Sequence, residues 1–219
     1  MKDLNIEDLK QLLSDGIQAR QYAWDHYEEL LARKPAYTLY GPYDYWIGAA
    51  TPEKIISKAS RVLTFKTRKK SYLIYELDSE YKLLRARKVF DSVNDNTYEC
   101  FELDGIQYAC PFLFNQKNKI GDEVVAVRYQ DGKPAYLGLL RENSLIVHFF
   151  DYVSPEKAEV TEYYYYPASK YSMHGYPTDL DAPVGELNSA GQRVCWEEEL
   201  VYTDFSQWFK KEDNSAAET

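Results

Sequence analysis

Apolar residues near the N-terminus recur mostly at spacings of three and four, through Leu9, Leu12, Leu13, Ile17, Trp24, Tyr27, Leu30 and Leu31, which is the period of a helix with one buried face. Asn5 stands where an N-cap belongs, and Glu7 and Asp8 place negative charge in the first turn, where the helix dipole favours it. Asp15-Gly16 interrupts the pattern, so the segment reads as one helix with a weak point or as two in succession. Arg33-Lys34-Pro35 ends it, with cations in the last turn and then a proline that cannot continue. Trp24 here, and Trp208 near the C-terminus, read as buried anchors, each worth on the order of 3–5 kcal/mol against truncation to alanine.

Residues 36–50 mix Tyr37, Tyr40, Tyr43, Tyr45 and Trp46 with Gly41, Pro42 and Gly48, and read as an ordered loop or a short extended piece. Thr51-Pro52-Glu53 has the form of a helix start, with Ile55, Ile56, Ala59 and Val62 as its inner face. From about residue 62 to 166 the pattern changes to short β-branched and aromatic runs divided by turn residues. Asp78-Ser79, Asp104-Gly105 and Asp131-Gly132 look like hairpin tips, and each is followed within six residues by a tyrosine: Tyr81, Tyr108 and Tyr136. Asp-Gly between such runs is a strong hairpin signal, because glycine accepts positive φ without steric cost. The tips lie 26 and 27 residues apart, a spacing that a meander of similar hairpins produces without any duplicated unit.

Two more strands are expected at Leu145–Tyr152 and Val160–Tyr166. The expected architecture is α+β: N-terminal helices packed on a mainly antiparallel meander sheet of about eight strands, enough to curl strongly or to form two layers. Residues 167–193 lose periodicity among Pro167, Pro177, Pro183, Gly175, Gly185 and Gly191, and order returns over Val194–Phe209. The chain therefore reads as one domain over 1–211, with a helical element at 1–60, the meander at 61–166, a loop and aromatic segment at 167–211, and a flexible tail at 212–219.

Charge changes this picture more than composition does. The net charge is −9, but residues 61–90 carry nine Lys/Arg against three Asp/Glu, while residues 144–219 carry five against fourteen. The acidic total works against nucleic acid and anionic membrane as partners. Three cysteines without a C-x-x-C pair fit a reducing compartment. Neither a signal-peptide core nor a spanning apolar run occurs, so a cytoplasmic protein with no membrane segment is expected.

Candidate chemistry is sparse. His174, with Asp179 or Asp181, is the best catalytic grouping the chain offers, and would serve a hydrolase or transferase built in the 167–193 loop. His26 and His148 read as structural, and Cys100 and Cys110 as core thiols. No Cys/His spacing suits zinc, Asp179-Leu180-Asp181 lacks the ligand ladder of a calcium loop, and no phosphate loop or nucleophile elbow appears, so no metal and no cofactor are expected. A second alternative is a nucleic-acid surface on the basic hairpin through Arg68, Lys69, Lys70, Arg85 and Arg87. The same cations also suit an edge that blocks aggregation or an internal complement to the acidic end.

The leading expectation is a non-enzymatic binding module. Tyr164, Tyr166, Tyr171 and Tyr176 crowd the acidic C-terminal third; tyrosine gives large contact area at low rotamer cost, and the surrounding carboxylates favour a basic protein partner, as an inhibitor or immunity-type protein would meet. Changing Tyr164, Tyr171 or Tyr176 singly to serine should then abolish capture of that partner in a pull-down while leaving the melting temperature in place; a fall in both would make those rings part of the core.

Overall fold

The computed structural model describes residues 6–42, 72–90, 93–113, 120–141, 144–154, 157–165 and 190–199. Helix α1 spans Ile6–Asp25 and α2 spans Tyr27–Ala32. Ten strands follow: β1 Tyr37–Pro42, β2 Tyr72–Leu77, β3 Leu83–Phe90, β4 Val93–Leu103, β5 Ile106–Phe112, β6 Val124–Gln130, β7 Lys133–Arg141, β8 Ser144–Ser154, β9 Lys157–Tyr165 and β10 Ala190–Glu199. They form one antiparallel sheet in sequential order, with β1 and β10 as its ends among the described residues. An α+β fold dominated by antiparallel sheet is therefore present.

The strand count exceeds the expected eight because both ends of the sheet are built from segments that carry glycine and lack clean alternation. Tyr37–Pro42 pairs with β2 although it contains Gly41 and Pro42, and β10 begins at Ala190-Gly191, ahead of Val194. The expected helix after Thr51, the 167–189 loop and the segment with Trp208 lie outside the described residues.

All three expected hairpin tips form. Leu103 pairs with Ile106 and Gln130 with Lys133, leaving two-residue loops. Asp104 and Gly105 have φ of 53° and 73°, and Asp131 and Gly132 have 53° and 74°, the positive values that match the twist of flanking strands. The first tip is longer: the Asp78 carboxylate accepts the Glu80 and Lys82 amides at 2.8 and 2.9 Å, and Tyr81 takes φ 65°. The three tyrosines are not equivalent. Tyr108 and Tyr136 are buried in the cluster that holds α1, whereas Tyr81 packs on the opposite face. The one-residue difference between their distances from the turn glycines is absorbed by an irregularity at Arg128/Tyr129 in the β6–β7 ladder.

Both faces of the central strands are apolar. Toward α1, the registers align Phe101, Tyr108, Ala126, Gly138, Val147 and Tyr163 in one row across β4–β9. On the other face Ala86, Cys100 and Ala109 occupy β3–β5, between larger residues such as Leu73, Tyr75 and Leu77 on one flank and Val125, Val127 and Leu139 on the other. Val124–Val127 are consequently all buried, a continuous apolar run where a half-exposed strand would alternate.

Helix α1 lies against β5–β9. Its buried stripe runs Leu9, Leu13, Gly16, Ala19, Ala23, and burial of each leucine contributes about 1.5–3 kcal/mol. Two expectations change here. The helix continues through Gly16 and breaks at His26 instead, where φ is −107°. Ile17 and Trp24 are each 49% exposed, so Trp24 is not a core anchor: beyond Leu13 the buried stripe of the helix consists of Gly16, Ala19 and Ala23. A Cβ added at Gly16 would meet Leu140 Cδ1 at 2.6 Å and its Cβ at 2.8 Å. Urea denaturation should show Gly16→Ala losing about 1–2 kcal/mol by overpacking, despite alanine's higher helix propensity, and Trp24→Ala within about 1 kcal/mol of the parent; the reverse order would place the helix on its other face.

Candidate functional site

The acidic end of the chain becomes a defined surface through strand register. Asp151 on β8 pairs with Glu159 on β9, and Glu159 pairs with Glu197 on β10. Residues directly opposite in antiparallel strands are close enough for like charges to repel. Asp151 is exposed and Glu159 half-buried. Glu198 and Glu199 follow on β10, opposite Ala158 and Lys157.

The tyrosine run splits as alternation requires. Tyr163 is buried with the α1-facing cluster, where its ring meets Phe149 edge-on at 5.9 Å. Tyr164 falls at the next register position, between Ile146 and Gly191. Tyr166, Tyr171, Tyr176, His174, Asp179 and Asp181 lie outside the described residues, as do Arg68, Lys69 and Lys70.

Arg85 and Arg87 are placed, and their charges are met within the fold. The fully buried Glu99 carboxylate receives Arg33 at 2.9 Å and also the Arg85 Nε. Arg85 reaches Glu76 at 3.0 Å as well, and Arg87 closes on the second Glu76 oxygen. Burial alone would weaken the Arg85 charge, but Glu99 and Glu76 outweigh it and hold its pKa above the usual arginine value. Its remaining donors reach the carbonyls of Leu30 and Leu31 at 3.4 and 3.2 Å, satisfying part of the open end of α2.

Arg33 does more than pair. The β3–β4 ladder ends at Arg85–Glu99, and the next carbonyls outward, Leu84 and Cys100, accept Arg33 at 2.9 and 2.7 Å. A planar guanidinium spans these acceptors together, which an ammonium does not. Arg85 and Arg87 thus pair with carboxylates on neighbouring strands, and not with the acidic C-terminal third that the sequence reading offered as their complement.

The two described thiols are buried, and burial first, with Glu99 adding to it at Cys100, pushes both well above the ordinary thiol range, a setting for packing and not for a nucleophile. His148 is buried on β8, opposite Leu137 and Glu162. His26 stacks on Tyr22 at 4.0 Å and holds Nδ1 at 2.9 Å from the Tyr22 carbonyl. Among the described residues no group of three or more His, Cys, Asp or Glu side chains is placed to hold a metal ion, and no helix is long and apolar enough to cross a membrane.

No family model, curated protein or solved structure matches the chain. The site therefore rests on geometry alone. Sequence reading did not single out Asp151, Glu159 or Glu197: a regular β8–β9 hairpin with its tip at 155–156 would set Asp151 opposite Val160, and only the irregularity between Tyr152 and Ser154 brings it opposite Glu159.

Glu99→Ala should strand two arginines and cost about 3–5 kcal/mol in chemical denaturation, and Arg33→Lys should recover little of what Arg33→Ala loses. Stability close to the parent for Glu99→Ala would mean that the cluster is open to water.

Proposed function

We propose that the chain is a non-enzymatic protein-binding module of the cytoplasm, whose acidic, tyrosine-bearing C-terminal third recognises a basic protein partner in the manner of an inhibitor or immunity-type protein. The observation that carries this reading is the row Asp151–Glu159–Glu197 across β8–β10. Like charges directly opposite one another weaken a sheet, so a fold that keeps them at one end holds a negative field there that a basic surface relieves. Charge complementarity of this kind speeds encounter and excludes partners of the wrong sign.

Engagement of Arg33, Arg85 and Arg87 by Glu76 and Glu99 supports the same reading. These cations are occupied on β2–β4 and are not placed to neutralise the carboxylates on β8–β10.

Affinity capture with the parent, followed by a binding titration of the captured partner against Asp151→Lys combined with Glu159→Lys and Glu197→Lys, tests the reading. Binding should weaken at least tenfold, chiefly through slower association, and the parent's affinity should fall as salt rises. The triple variant keeps like charges opposite one another with the sign reversed, so its melting temperature should stay close to the parent's. A partner held equally well by both proteins at every salt concentration would refute an acidic recognition surface.

A further inference from the structure

We draw no further inference here: the strongest candidate, the outward stripe of α1 formed by Ile17 and Trp24, is an apolar helix face for which nothing in the structure shows what covers it.

Discussion

A carboxylate withdrawn wholly from water sets how the helical segment meets the sheet. Glu99 is 0% exposed and lies between Arg33, which follows α2, and Arg85 on β3. Removing such a group from water costs several kcal/mol, and only close, well-directed partners return that cost. The partners here come from separate parts of the chain, so the carboxylate is compensated only when α2, β3 and β4 are all in place. Glu76 extends the cluster to β2 and Arg87, and the carbonyls of Leu30 and Leu31 at the end of α2 accept from Arg85. Close apolar packing, tightest at Gly16 on Leu140, holds α1 on the sheet, and the ion cluster fixes the end of the helical segment that follows it.

That arrangement bears on function through charge. Much of the basic stretch that stands out in the sequence lies outside the described residues, but Arg85 and Arg87 on β3 are internal partners for Glu76 and Glu99. At the acidic end the register aligns Asp151, Glu159 and Glu197 with one another across three strands. The sheet thus keeps a compensated cluster near one edge and a like-charged row near the other, and the proposed recognition of a basic protein follows from that contrast.

The sequence made the meander legible because its signals are local. Asp104-Gly105 and Asp131-Gly132 take the positive φ that such dipeptides favour, and apolar-aromatic runs flank them. Helix α1 was visible as a helix, and Leu9, Leu12 and Leu13 do meet the core, but Ile17 and Trp24 were misplaced, since periodicity weights large residues and the later turns of this helix dock through Gly16, Ala19 and Ala23. Trp24 was assigned to the core for the same reason and is half exposed. The ion cluster was illegible: Arg33, Glu76, Arg85 and Glu99 look like surface charges until register and the path of α2 bring them together. The acidic row needed two registers at once, so its members, distant in sequence, carried no local mark.

The central claim is that Arg33 and Glu99 are energetically one unit. A double-mutant cycle by chemical denaturation tests it directly, using Arg33→Met, Glu99→Met and the two combined. Arg33→Met leaves Glu99 with Arg85 as its one remaining cation among the described residues, and Glu99→Met leaves Arg33 with backbone carbonyls in place of a carboxylate, whereas the double change removes both charges, so the combined loss should fall short of the sum of the single losses by about 2 kcal/mol or more. Losses that add to within about 0.5 kcal/mol would show two independent surface charges, and the account of how the helices are fixed to the sheet would fail.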